Sequence, residues 1–347
     1  MSEAESAFEI RRATADDGES LAEVFENSSD GGKIGFAPQF RIDPYVAYST
    51  IRENVTGFIA ETPSGEPAGA GFVSIVSARL GGDVRQCAIL DGLAVRERYR
   101  DQGLGKQLAA KRVNYAETKL PDDCVVLAYI QEGNDPSKAV AKSWADQFAY
   151  EQVVYTLDPA PNGRDDTPYT VREVRDEEIP FVVERANEFY SNAEMYSPLK
   201  PEGLRDRLAE SPLDEPIARY LVVEKEDEIV AGTLVLDQYK LMWVAVDELP
   251  PELQEADELP PSIPESKEIR PQTMGNIWYE DGNEAAGKAL INAVRDNPGN
   301  ANRISLQYDP DGPIAPIVQN ADSFIQHQAA LRGLPESLTD RPTAFIL

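Results

Sequence analysis

The residues best placed to do chemistry run Arg100-Asp101-Gln102-Gly103-Leu104-Gly105-Lys106. They follow an apolar strand pattern, Cys87-Ala88-Ile89-Leu90-Asp91-Gly92-Leu93-Ala94-Val95, and precede a helical one with Leu108, Ala109, Val113 and Ala116 on one side. A strand, a tight glycine loop and a helix start leave unpaired backbone N–H groups in the first helical turn. The positive end of the helix dipole stands behind them. That is an anion site, suited to a pyrophosphate. Gly103 and Gly105 let a ligand approach the backbone closely, while Arg100 and Lys106 add positive charge.

This run resembles the coenzyme A signature of the GNAT superfamily, Arg/Gln-x-x-Gly-x-Gly/Ala after a Leu-Ala-Val strand. Arg100, Gly103 and Gly105 fill its positions without a gap. The resemblance covers roughly residues 7 to 156. It implies an acetyltransferase using acetyl-CoA as co-substrate, with no metal, and an amine acceptor, small molecule or peptide. It further implies that the backbone of Leu93, Ala94 and Val95 pairs with the pantetheine arm. Asp101, Gln102, Leu104 and Lys106 complete the loop expected to hold the phosphates. Asn134 matches the family's Asn after the next strand, Val125–Ile130. Asn134-Asp135-Pro136-Ser137 is also a good helix start, so cofactor contact and capping both stand.

The general acid and base are less clearly marked. The family often has a Tyr as acid, but the matching position here is Ala145. Tyr129, Tyr150 or water could substitute. Asp91 is the candidate base, read as sharing a strand face with Leu93 and Val95; the alternative is a solvated or hydrogen-bonded strand Asp. The rival to an enzyme is a non-catalytic acyl-CoA sensor or assembly scaffold.

The elements that position these residues occur twice. A strand, acidic turn and amphipathic helix over Ala7 to Phe25 recur over Tyr169 to Tyr190. A hairpin pattern at Phe58 to Val76 recurs at Tyr220 to Leu236. Gly105-Lys106-Gln107-Leu108 matches Gly287-Lys288-Ala289-Leu290, the wider spacing of this pair reflecting a Pro/Glu-rich stretch at 247–271. The expected fold class is α/β (α+β), with two tandem GNAT domains, each a mixed, mostly antiparallel sheet flanked by helices. The first covers 1–158, a linker 159–167, and the second 168–347. Carrying the glycine match backward sets Ile277 against Val95, Gly282 against Arg100 and Ala285 against Gly103. The second loop, Glu280 to Gly287, is then acidic, and this half is expected not to bind coenzyme A. Tyr239, Trp243, Trp278 and Tyr279 are read as core or as cleft lining. Acceptor specificity is expected in the loops of Ser28 to Tyr48 and the facing surface of the second half.

Composition limits the partners. The formal net charge is −28, with 61 Asp and Glu against 33 Lys and Arg. Such a surface repels nucleic acid and anionic membranes. Dispersed carboxylates with scarce Lys resemble the acidic proteins of haloarchaea, whose surfaces stay hydrated at high salt; attraction of a cationic acceptor is the alternative. No apolar run is long enough to span a membrane, and Met1 to Glu9 lacks the features of a secretory signal, so a cytoplasmic location is expected. Cys87 and Cys124 read as core thiols, with a redox pair as the alternative. The one histidine, His327, is placed on a surface helix with no partners for a metal.

Overall fold

The computed structural model describes residues 7–32, 34–160, 168–254, 263–318, 325–339 and 341–344. Most of the expected linker (161–167) and part of the Pro/Glu-rich stretch (255–262) lie outside the described residues. In chain order the first half supplies β1 (Glu9–Arg12), α1 (Gly18–Glu26), β2 (Gly35–Phe40), α2 (Pro44–Ile51), β3 (Val55–Glu61), β4 (Pro67–Leu80) and β5 (Asp83–Val95). Then come α3 (Leu104–Lys119), β6 (Val125–Gln131), α4 (Asp135–Ala141) and β7 (Gln147–Leu157). The second half supplies β8 (Thr170–Glu173), α5 (Ile179–Phe189), α6 (Pro201–Ala209), β9 (Ala218–Lys225), β10 (Glu228–Leu236) and β11 (Met242–Glu248). It ends with α7 (Pro251–Gln254), β12 (Glu268–Ile269), β13 (Pro271–Tyr279), α8 (Glu284–Asp296), β14 (Arg303–Tyr308) and β15 (Ile325–Arg332). No helix among the described residues is long and apolar enough to cross a membrane.

Strands buried on both faces, as in Pro67–Ser74 of β4 and Cys87–Leu90 of β5, build one mixed, mostly antiparallel sheet. Among the described residues its twelve strands run β1-β3-β4-β5-β6-β15-β7-β14-β13-β10-β9-β8. Read inward from either edge, three antiparallel pairings are followed by one parallel pairing, β5 with β6 and β13 with β14. At the centre the halves exchange strands. β15 pairs with β6, while β7 pairs with β14, and the two exchanged strands pair with each other. Neither half therefore completes its sheet with its own last strand.

The same ion-pair triad pins both outer edges. Arg11 on β1 grips Asp17 at 2.6 Å and Glu61 on β3 at 2.8 Å. Arg172 on β8 grips Glu178 at 2.7 Å and Glu224 on β9. In each case the arginine ties the first strand to its neighbour and to the turn that starts the following helix.

Helices cover both faces because the strands alternate. On β3, Phe58 and Ala60 join the apolar cluster under α3, while Ile59 joins the cluster under α1 and α2. The Pro/Glu-rich stretch is not only loop. It supplies β12, which pairs with β11, and β11 pairs on its other edge with β2 of the first half, in a separate three-stranded sheet.

His327 corrects the sequence reading. It lies on β15 at the sheet centre, across from Gln131 on β6 and Gln152 on β7, and not on a helix. Burial pulls its pKa down to about 4. Cys87 and Cys124 are both free thiols, and burial pushes Cys87 up to about 12.

Candidate functional site

The site begins where two parallel strands part. β5 and β6 pair only over Cys87–Ile89 with Val125–Leu127, yet β5 continues to Val95 and β6 to Gln131. Beyond Ile89 the edge of β5 facing β6 opens a wedge that includes Leu93, Ala94 and Val95. A β-bulge sits in the same stretch. Ala70 pairs with Ala94 but Phe72 pairs with Asp91, leaving Gly92 and Leu93 opposite one residue. Gly92 has φ +57°, and a Cβ there would lie 2.8 Å from the Tyr48 hydroxyl, so only glycine fits.

The extra residue inverts the alternation, which corrects the reading of Asp91. Leu93 and Val95 pack toward the α3 cluster, whereas the Asp91 carboxylate turns to the opposite face. There Arg52, just after α2, meets it at 3.3 Å, and its Oδ2 is buried without a hydrogen bond. Tyr48 and Tyr129 are near neighbours in charge terms, and burial raises the pKa of both phenols. Tyr150 instead donates to the carbonyl of Leu338 at 2.7 Å, holding the C-terminal segment.

At the mouth of the wedge the loop ends in the open helix start expected. Gly103 is the N-cap of α3, with φ +76° and no side-chain cap. The first-turn N–H groups of α3 lack intrahelical partners by construction. A Cβ on Gly103 would meet nothing within 4 Å, so this backbone faces open space. Gly105 lies closer in, where a Cβ would be 3.3 Å from Val140 of α4. Asp101, with φ +61°, Gln102 and Lys106 are exposed, and Leu104 is buried as the first anchor of α3. Arg100 is held by two carbonyls, Nε to Val95 at 3.1 Å and Nη2 to Ser29 at 3.2 Å.

Across the wedge, Asn134 is buried and caps α4, its Oδ1 accepting from Ser137 N–H at 3.0 Å. Gly31 passes so close that a Cβ would lie 3.3 Å from that Oδ1. The turn around Ser29 to Gly32 thus touches both sides of the wedge. A cavity of about 170 Å³ lies beside it, lined among others by Gln131, Asn134, Lys138 and His327. On the other face a cleft of about 370 Å³ runs between the halves, bordered by Arg52, Ser77 and Gln86 and by Arg207, Asn276 and Gln307.

The second half has a wedge of its own, and protein fills it. β13 and β14 pair only over Pro271–Met274 and Arg303–Leu306. Into the gap beyond, Tyr190 donates to the Ile277 carbonyl at 2.6 Å, and Tyr279 donates to Pro313 at 2.9 Å. Thr343 is anchored there by Asp309 at 2.8 Å, leaving about 30 Å³. Trp278 and Tyr279 are buried core, Trp278 donating to the Tyr220 hydroxyl at 2.8 Å. The bulge between Gly232 and Leu234 sets Asn276, φ +50°, opposite Gly92 in the comparison of halves. Tyr279 then matches Val95, two positions away from the register the glycines suggest. The connection to the helix, Glu280–Asn283, is shorter than Arg96–Gly103. Gly287 has a packing role, since a Cβ would lie 2.9 Å from Tyr279 and 3.0 Å from Ile317.

Sequence reasoning missed Arg52 and Arg112. Arg112 was legible: it falls on the α3 stripe of Leu104, Leu108, Ala109, Val113 and Ala116, where a charge is unexpected. Gly92 inside a strand was likewise a sign of a bulge.

Residues 25–144 match the family model of the acetyltransferase (GNAT) family. Solved structures share the fold over nearly the whole chain. N-myristoyltransferase of Saccharomyces cerevisiae with bound myristoyl-CoA superposes with a TM-score of 0.63 at 11% identity, covering 99% of this chain and 90% of that one. A GCN5-related N-acetyltransferase from Sphaerobacter thermophilus gives 0.58 at 12% identity, covering 98% of each chain. One from Anabaena variabilis gives 0.56 at 11% identity, covering 94% of this chain and 73% of that one. No curated protein matches by sequence. The chain has the GNAT fold.

Proposed function

We propose that the protein is an acyl-CoA-dependent N-acyltransferase that moves an acetyl group from acetyl-CoA to an amine by direct attack in a ternary complex. The observation that carries this reading is the asymmetry of the wedges. The first is continued by a glycine loop open to solvent; the second is filled by Tyr190, Pro313 and Thr343. In this reading the first-turn N–H groups of α3, with Arg100 and Lys106, hold the pyrophosphate. The edge of Leu93, Ala94 and Val95 pairs with the pantetheine arm, and Asn134 borders its thiol end.

The whole-chain likeness to an N-myristoyltransferase and to GCN5-related N-acetyltransferases supports acyl transfer to nitrogen. We take the two halves as tandem domains, 1–158 and 168–347, joined by 159–167. The shared edge triads support a duplicated origin. The second half shapes the acceptor cleft and does not bind coenzyme A; Glu280, Asp281 and Glu284 around its helix start repel phosphates. The acidic surface suits a high-salt cytoplasm, and thermal stability rising with KCl is the check on that point.

Asp91 is the carboxylate at the bulge and the base in this scheme. Its pairing with Arg52, and Ala145 where the family often has Tyr, favour one alternative, a binding protein that retains acyl-CoA without turnover. Release of free coenzyme A thiol from acetyl-CoA across a panel of amines separates the two. Amine-dependent release supports the transferase; binding without release with every amine supports the sensor or scaffold.

A further inference from the structure

Arg112 is 2% exposed and sits on the apolar stripe of α3, against the sheet. Its Nη1 donates to the backbone carbonyls of Asp91 at 2.9 Å and Phe72 at 3.2 Å, the residues paired at one end of the bulge. Its Nε is buried without an acceptor. The negative charge it feels is that of Asp91, whose carboxylate is turned to Arg52 on the other face. Burial pulls its pKa down to about 10, which leaves it charged at neutral pH. The sheet makes room for it at Gly71, where a Cβ would lie 2.8 Å from Nη1.

A buried charge met mainly by carbonyls is a costly way to fill space; an apolar side chain of similar size would serve packing better. What distinguishes this place is its position. With the phosphates at the mouth of the wedge, the pantetheine arm runs inward along β5 from Val95 toward Ile89, the last residue at which β5 pairs with β6. The thioester then lies beside the bulge. A trans peptide has its C=O and N–H on opposite sides. Arg112 holds the Asp91 carbonyl, so the Gly92 N–H points away from the guanidinium.

We propose that Arg112 is a positioning residue for acyl transfer, fixing the Asp91–Gly92 peptide and, through its charge, strengthening the bulge as the site that stabilises the oxyanion. The inference rests on the acyl-CoA reading above. In the step concerned, the amine nitrogen attacks the thioester carbon, a C–N bond forms and the carbonyl electron pair moves onto oxygen. The oxyanion then re-forms the carbonyl, the C–S bond breaks, and the proton lost by the amine ends on the departing thiolate. Field from a buried charge in a low-dielectric site acts on that oxyanion without reorganisation.

The test is isotope-edited infrared spectroscopy of carbonyl-labelled acetyl-CoA bound to the full chain, which needs no acceptor. Binding to the wild type is expected to move the thioester carbonyl stretch to lower frequency. Arg112→Met is expected to bind acetyl-CoA within about threefold of wild type but lose most of that shift, and Arg112→Lys to retain an intermediate shift. Where Arg112→Met is too unstable to measure, Arg112→Lys carries the comparison, with an expected fall in kcat of about tenfold at unchanged KM for any amine found to turn over. A bound frequency in the measurable variant equal to that of the wild type overturns this inference alone. Failure of the wild type to bind acetyl-CoA overturns the acyl-CoA reading and this inference with it.

Discussion

Asp91 and Arg52 form an ion pair at 3.3 Å, joining the bulge of β5 to the residue that ends α2. The pair places a carboxylate on the cleft face of the strand whose other face packs under α3. A base there needs the amine to reach it from the cleft between the halves. Asp91→Asn is expected to lower kcat about 10- to 100-fold while leaving acetyl-CoA affinity within about twofold, as measured by steady-state kinetics and equilibrium binding. Wild-type turnover in that variant would take Asp91 out of the chemistry.

Gly103 and Gly282 make a matched pair of controls. Both have positive φ, +76° and +72°, and a Cβ on either would meet nothing within 4 Å. Gly103→Trp is expected to weaken acetyl-CoA binding by more than about tenfold by filling the loop mouth. Gly282→Trp carries the same backbone strain and is expected to leave binding unchanged. Equal losses in both would show that strain, not occupancy of the first loop, is responsible.

The edge triads set the acid limit of stability. Arg11 holds Asp17 down to about 2, and Arg172 holds Glu178 down to about 2, both below their ordinary carboxylate values. A depressed carboxylate contributes stability above its unfolded pKa, and the contribution is lost as pH falls through the folded one. The triads' share is therefore present at pH 5 and lost progressively from about 4 to about 2. His327 adds an earlier step, because burial holds it at about 4 against an ordinary value of 6.5. The unfolded chain takes that proton first, so stability falls from about 6.5 toward 4. Asp17→Asn is expected to remove about 1–2 kcal/mol at pH 7 and little below pH 2, read from denaturant curves across pH.

The exchanged strands make the halves interdependent. β15 completes the first half's sheet and β7 the second's, with Gln152 donating to Gln307 at 2.7 Å across the junction. Unfolding of the full chain is expected as one cooperative transition, with far-UV circular dichroism and tryptophan fluorescence coinciding. A fragment ending at residue 158 leaves the edge of β6 bare and is expected to aggregate. Two separated transitions would show that the halves fold independently.

The parts of this fold legible in the sequence were the local ones. Phe58 to Val76 and Tyr220 to Leu236 carried hairpin patterns because alternation is written in neighbouring residues, and Gly103 and Gly105 marked a helix start for the same reason. The exchange of β7 and β15 was not legible, since nothing local to Ile325–Arg332 states that its partner is β6. His327 went astray on that account: Ile325-Gln326-His327-Gln328 has no clear period, and tertiary pairing decided it. The strand face read for Asp91 was wrong through one residue, Gly92, whose bulge inverts every side chain beyond it. The second loop was misregistered because Gly287 serves packing against Tyr279 and Ile317, while the wedge above it is closed by Thr343, far away in sequence.

The most direct test is isothermal titration of acetyl-CoA into the folded full-length chain in high salt, read for stoichiometry. One site per chain is expected, from an open first wedge and a filled second one. Two sites per chain, or no binding at all, would contradict that account.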